Sequence, residues 1–425
     1  MTAAIIVFVA ILLIGAPVAV VMAVSGMAGS FMLGGERLLG IVADRMFSGV
    51  SGYILIAVPY FIFTAELMNQ GGLTQKLITF NNALLGRIRG ALSHTNVTVS
   101  LFFAGLTGAA ITDTVAIGKI MIPEMKKQGY DAEYAAAITA CSSIIGPIIP
   151  PSVVMVVYAS MLRDISVIDL FAGGIVPGVL LAAVLLGTSI VLSWKRRYPR
   201  MAGSSLKAAL IAFLSALPAL FIPVIILGGI LTGATTITEA SGFATVYAIF
   251  IGFVVYRNLT WRKVWDSLVT TVRLSGVVFF LLATSAVLSW FVTRSGIARD
   301  AAEAITAFSD VALIQILLVC LLLLLIGTVM DVLPALVVVA PVIVPAMVNL
   351  GFDPLHFAIV MIVTLNVANA TPPVGMTLMT AARIAEVPYE RTIIASWPFY
   401  LSFLIVIVLL AQFPTLSTWI PSLLD

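Results

Sequence analysis

Two double prolines stand inside apolar sequence. Pro150-Pro151 lies in "GPIIPPS" (Gly146–Ser152) and Pro372-Pro373 in "NVANATPPVGMT" (Asn366–Thr377). A proline within a helix removes one N–H donor and blocks the carbonyl four residues earlier, so closely spaced prolines unwind the helix. Unwinding frees backbone carbonyls for a cation and turns the N-terminus of the next half-helix toward an anion. The second stretch adds the side-chain oxygens of Asn366, Asn369 and Thr371, and a flexible Gly375. A kink held by packing is the simpler account of a single such motif. Two motifs in register favour the chemical account.

Two more stretches interrupt long apolar runs. "GLTGAAITD" (Gly105–Asp113) offers Thr107, Thr112 and Asp113, with Gly105 and Gly108 for close backbone approach. "GTVMDVLPA" (Gly327–Ala335) offers Thr328 and Asp331. An acid in an apolar segment is costly and faces the protein interior or water. Capping of the following half-helix, with Pro334 in its first turn, is compatible with such a role for Asp331. Capping accounts for Asp113 equally well. Glu66 reads as structural, Glu239 as a first-turn helix acid, and Arg163 and Asp164 as a loop pair. His94 and His356, far apart in sequence, also read as structural.

These residues need a membrane frame. The 425 residues are 61% hydrophobic and 10% charged, against about 25% charged in soluble proteins. The chain is an all-α polytopic membrane protein, with apolar segments near 3–24, 26–47, 53–70, 92–122, 131–162, 165–194, 206–231, 239–256, 268–293, 310–348, 354–382 and 393–414. The first lacks a basic stretch before it and exceeds a signal-peptide core, so it reads as a retained span. No phosphate loop, dinucleotide turn or HExxH motif occurs, and the small net charge of +3 sits in short loops. The sequence therefore indicates neither an enzyme nor a nucleic-acid binder, and no cofactor.

Basic loops orient the spans. "WKRRYPR" (Trp194–Arg200), "YRNLTWRK" (Tyr256–Lys263), Arg87, Arg89, Lys126 and Lys127 all read as cytoplasmic. Both ends of segment 92–122 then lie on one side, which predicts a re-entrant hairpin or two full crossings. The chain also matches itself at a shift of 222: "PEMKKQGYD" (Pro123–Asp131) falls on "PAMVNLGFD" (Pro345–Asp353), and the double prolines coincide. Five crossings separate the copies, with segment 310–348 as a second hairpin, so the repeat is inverted. Arg294 and Arg299, before that hairpin, do not fit an outer side. The expected organisation is scaffold spans at 1–70, a first transport repeat at 71–194 (hairpin 91–128, broken helix 131–162), scaffold at 195–293, a second repeat at 294–392 (hairpin 309–350, broken helix 354–383) and a last span at 393–425.

"GLTGAAITDTVAIGKIMIPEMKKQGYD", "GPIIPPS" and "NVANATPPVGMTLM" resemble the large membrane subunit of the tripartite ATP-independent periplasmic (TRAP) transporters over nearly the whole chain. The resemblance implies an elevator-type, sodium-coupled symporter of the bacterial inner membrane. It implies a small membrane subunit and a periplasmic binding protein as partners, within membrane lipid, and an organic-acid substrate of C4-dicarboxylate or sialic-acid type. One sodium site would use Thr107 and Ala109 with Gly146, Ile149 and Pro151; the other would use Gly327 with Thr371 and Gly375. Substrate would lie between, near Asp331, with Thr107, Thr112, Ser152 and Asn369 as contacts. A stand-alone dicarboxylate or citrate symporter, sodium- or proton-coupled and without a binding protein, is the alternative. Family members often carry S-G-S-S at the first tip, and this chain reads T-G-A-A (Thr107–Ala110). Ala109 and Ala110 can offer backbone oxygen only.

Overall fold

The computed structural model describes residues 2–162, 165–201 and 205–424, and their side chains except at 2–5, 33–34, 36–39 and 106–107. Arg163 and Asp164 lie outside the described residues. Every regular element described is helical.

The N-terminal region departs from the two spans expected at 3–24 and 26–47. Three helices occupy it: α1 (Thr2–Leu13), α2 (Val18–Gly34) and α3 (Glu36–Val50). Gly15 and Gly35 take φ of +83° and +65°, a region that favours glycine, and Pro17 supplies no N–H to continue α1. The break at Gly15 lies inside apolar sequence, where hydropathy alone does not register it, whereas Gly35 adjoins Glu36 and Arg37, which with Asp44 and Arg45 mark segment 26–47 as bent or partly interfacial. A single 3-10 turn at Tyr53–Ile56 leads into α4 (Ala57–Gln70), with a bend of 58° from the end of α3.

Next come α5 (Leu73–Leu85) and a hairpin of α6 (Ala91–Thr107) and α7 (Ala110–Lys127), joined by Gly108 and Ala109 alone. α8 (Ala132–Ser143) and α9 (Val153–Met161) flank the first double proline. Long helices follow: α10 (Val167–Lys195), α11 (Leu206–Leu231), α12 (Ile237–Phe250) with a π turn to Val255, and α13 (Trp261–Ser295). α13 begins earlier than its apolar run, with Arg262, Lys263 and Asp266 in its first two turns. α14 (Ile297–Phe308), α15 (Ala312–Gly327) and α16 (Val332–Asn349) precede α17 (Pro354–Ala368) and α18 (Met376–Ala385), which flank the second double proline. α19 (Tyr389–Gln412) is the last long helix.

Among the described residues six helices are long and apolar enough to cross a membrane, and the bent α3–α4 pair, taken as one span, makes a seventh. The chain is a multi-pass membrane protein. α8 and α17 form its centre: Tyr134–Ser143 and His356–Ala368 are buried on every side, as expected of helices apolar all round. α8 packs on both α6 and α7, and α17 on both α15 and α16.

The shift of 222 holds in the backbone. α7 and α16 are both 18 residues long, and Val332 follows Ala110 by 222. Gly129 and Gly351 end them with φ of +83° and +90°. Both double prolines contain a cis bond. Three basic loops also gather at one end of the molecule. Gly90 N donates to Pro199 O at 3.1 Å, Met201 N to Gly86 O at 3.0 Å, and Arg196 pairs with Asp131 at 2.9 Å.

Candidate functional site

Each tip rests against its own break. At the first, Gly108 holds φ +60° and approaches the chain after Pro150 so closely that a Cβ there would lie 2.9 Å from Val153 N and 3.0 Å from Pro151 O. Asp113, in the first turn of α7, is fully buried, and its carboxylate occupies the space a Cβ on Gly146 would need. At the second, Gly375 N donates to Thr328 O at 3.2 Å, and Asn369 Nδ2 donates to Asp331 Oδ1 at 3.0 Å. A Cβ on Gly327 would sit 2.6 Å from Ala368 Cβ.

Local chemistry shapes both breaks. Ser152 caps α9: its hydroxyl accepts from Met155 N at 3.3 Å and donates to Pro147 O at 2.5 Å. Thr371 Oγ1 turns back to Val367 O at 2.8 Å, and Thr377 donates to Asn369 O through both its N–H and its hydroxyl. Asp331 holds the N-cap position of α16 but makes no capping bond with its side chain; its carboxylate turns to Asn369 instead. Asn366 Oδ1 and Asn369 Oδ1 are buried with no hydrogen-bond partner. Leaving a buried acceptor unpaired costs about 1–3 kcal/mol, which makes each oxygen a candidate ligand for a cation.

Tips and breaks meet at one cavity of about 270 Å³. Its walls include Gly108–Thr112, Pro147, Asp331–Pro334 and Asn369, closed by α4 and by α13 between Leu274 and Leu281. Three helix N-termini open onto it: Ala110–Thr112 of α7, Val153–Val154 of α9 and Val332–Pro334 of α16. Each carries a partial positive charge of roughly half a unit. Among the described lining residues there is no Lys, Arg or His, and the two acids are Asp331 and Glu66. An anion here would therefore be held by backbone N–H groups and helix dipoles.

A family model described as the DctM component of tripartite ATP-independent periplasmic transporters matches residues 5–416. The chain belongs to the DctM family. This DctM-family permease is 34% identical over 385 residues to the sialic acid TRAP transporter large permease SiaM of Vibrio cholerae, covering 91% of the chain and 90% of the relative. It is 31% identical over 429 residues to the C4-dicarboxylate TRAP transporter large permease DctM of Rhodobacter capsulatus, covering 98% and 97%. Its fold is similar to that of the YdaH transporter of Alcanivorax borkumensis, with TM-score 0.64 at 16% identity over 91% and 88% of the two chains. The protein is a transporter and not an enzyme.

The sequence-derived residues of the permease separate into groups. Ala109, Thr112, Asp331 and Asn369 line the cavity. Gly146, Pro151, Gly327, Thr371 and Gly375 lie behind it, where tip and break touch. Ser152 is wholly buried, and its hydroxyl serves the cap of α9. Ile149 points away from the cavity, its side chain filling the space above Gly178 of α10. Thr107 ends α6, and its side chain lies outside those described.

Glu66, which reads as structural from sequence, and Asp113, which the first tip offers, each take a definite place. Glu66 lines the cavity from α4, half-buried and without an ion pair or hydrogen bond among the described residues. The signal was the one that marked Asp331, an acid in an apolar helix. Asp113 joins tip to break through Gly146, a contact no spacing rule announces. Glu239 does form a capping box with Thr236. His94 is bound by Ser189 and the Arg89 carbonyl, both at 2.9 Å, and His356 by Ser417 at 2.8 Å.

Proposed function

We propose that the chain is the large subunit of a sodium-coupled importer of an organic acid in the bacterial inner membrane. A small membrane subunit completes the membrane part, and a periplasmic binding protein delivers the substrate. The observation that carries this reading is the single cavity onto which both tips, both breaks and three helix N-termini open. The N-termini suit a carboxylate, and the crowded carbonyls behind them suit a dehydrated cation. The unpaired Oδ1 atoms of Asn366 and Asn369 support a second cation position beside Gly327 and Thr371. The substrates in the names of the relatives, sialic acid and C4-dicarboxylates, support an organic acid.

The repeated backbone supports two halves of opposite orientation, with α6–α7 and α15–α16 as their hairpins. The hairpins and broken helices would move together as one body against α4 and α13, which form the far wall of the cavity. Such a movement exposes the cavity to each side in turn, as an elevator does. The test is uptake by proteoliposomes with and without the partner subunits, under an imposed sodium gradient, across sialic acid and C4-dicarboxylates. Sodium-dependent uptake that requires the binding protein is expected. Uptake needing neither would overturn the reading and favour a stand-alone symporter.

A further inference from the structure

Two arginines stand where charge patterning argues against them. α13 leaves the basic loop Tyr256–Lys263 and is long enough to cross a membrane, so its far end belongs to the opposite, outer side. Arg294 lies in its last turn. Arg45, from α3, reaches the same place. The two guanidinium carbons lie 5.4 and 6.0 Å from the ring centre of Trp290. Among the described residues neither arginine has an ion pair. A helix C-terminus favours a cation, which accounts for Arg294 and not for an arginine brought in from another helix. Both arginines are exposed, and two like charges held against one indole attract an anion between them.

The pair borders a second cavity, of about 430 Å³. Ser285, Ser289 and Thr293 recur every four residues along α13 and so present hydroxyls on one face. Ser48 and Ser160 add hydroxyls from other helices. The two cavities share three helices as walls. α9 contributes Val153 to the inner and Ser160 to the outer, α16 contributes Val332 and Pro341, and on α13 Leu281 and Leu282 mark the change. At 1.5 Å per residue, Arg294 stands about 20 Å along α13 from Leu281.

We propose that the cavity at Arg45, Arg294 and Trp290 binds the carboxylate of a small organic anion at the outer face, before the anion moves along α13 to the inner cavity. A guanidinium matches a carboxylate with two parallel N–H donors. A cleft of one charge sign also raises the local concentration of its counter-ion. The transit role rests on the organic-acid reading; the anion site itself does not.

The test has two arms. In the first, the purified chain alone is titrated with choline succinate, and separately with N-acetylneuraminate, while tryptophan fluorescence is followed. A saturable change is expected. It should vanish in Trp290→Phe, weaken by about tenfold or more in Arg45→Gln/Arg294→Gln, and weaken less in Arg45→Lys/Arg294→Lys, which keeps the charge. Equal affinity in the Gln variant, or no saturable change in the wild type with either probe, overturns the site.

In the second arm, uptake is measured in proteoliposomes with the partner subunits. The Gln variant should raise KM about tenfold, with a smaller effect on kcat. An unchanged KM overturns the transit role while leaving organic-acid import intact. Wild-type vesicles that take up no organic acid, beside a chain that still binds succinate through the arginines, would overturn the function and keep the site.

Discussion

Asn369 Nδ2 donates to Asp331 Oδ1 at 3.0 Å, and this bond ties the second tip to the second break. A typical intramolecular hydrogen bond contributes about 0.5–1.5 kcal/mol, and 1.4 kcal/mol is a factor of about ten. Asn369→Ala should therefore loosen the second tip and lower uptake by up to about tenfold. Asp331→Ala should abolish uptake, because it removes the bond and the cavity charge together. Binding and uptake by detergent-stable, monodisperse variants check both, and normal transport by the Asp331 variant would remove that residue from the site.

Gly108→Ala tests the first tip. The substitution places a Cβ 2.9 Å from Val153 N at φ +60°, where an L-residue costs about 1–2 kcal/mol before any clash. Uptake should fall by more than about tenfold. Gly187→Ala, with nothing within 4 Å of its Cβ, should leave uptake and thermal stability unchanged.

Gly146→Ala should displace the Asp113 carboxylate, which fills the space of the new Cβ. Pairing it with Asp113→Ala removes the overlap. The expected outcome is a clear loss of melting temperature in the single variant and partial recovery in the double. A single variant as stable as the wild type would show that the contact is loose.

Glu66→Gln should change transport and spare the fold. The carboxyl lines the cavity, half-buried, and has no partner among the described residues, so the substitution breaks no bond there and should not lower thermal stability. KM should shift by about threefold or more, because one of the two cavity acids is lost. Concentration dependence of uptake, set beside thermal unfolding, separates the two effects.

Asp131 and Asp353 occupy equivalent places in the repeat and do different work. Asp353 caps α17, accepting from His356 N at 2.7 Å. Asp131 makes no cap bond and instead takes Arg196 at 2.9 Å and Tyr198 Oη at 2.7 Å at the basic end. Asp353→Ala should cost about 0.5–2 kcal/mol as a lost cap, and Asp131→Ala at most about 1 kcal/mol as an exposed pair. Thermal unfolding of the two variants distinguishes them.

The sequence by itself determined the breaks and the tips. Proline lacks an N–H whatever surrounds it, glycine tolerates positive φ wherever it stands, and a spacing of 222 survives in the chain as in the backbone. Pro150-Pro151, Pro372-Pro373, Gly108 and Asp331 were legible for that reason. The apolar run around Gly15 concealed the split there, whereas the charges of Glu36 and Arg37 marked the one at Gly35. Tertiary structure alone decided which carboxylate faces which space. Asp331 stands at the N-cap of α16, where sequence allows both a cap and a site role, and packing of α17 against the tip gives its side chain Asn369. Glu66 entered the cavity because α4 closes it, and Ser152 was withdrawn because its hydroxyl serves Pro147 and Met155. Arg45 and Arg294 meet at Trp290 across more than two hundred residues of chain. Local chemistry is written in neighbouring residues, whereas a cavity is made by helices far apart in sequence, and only their packing says what each side chain meets.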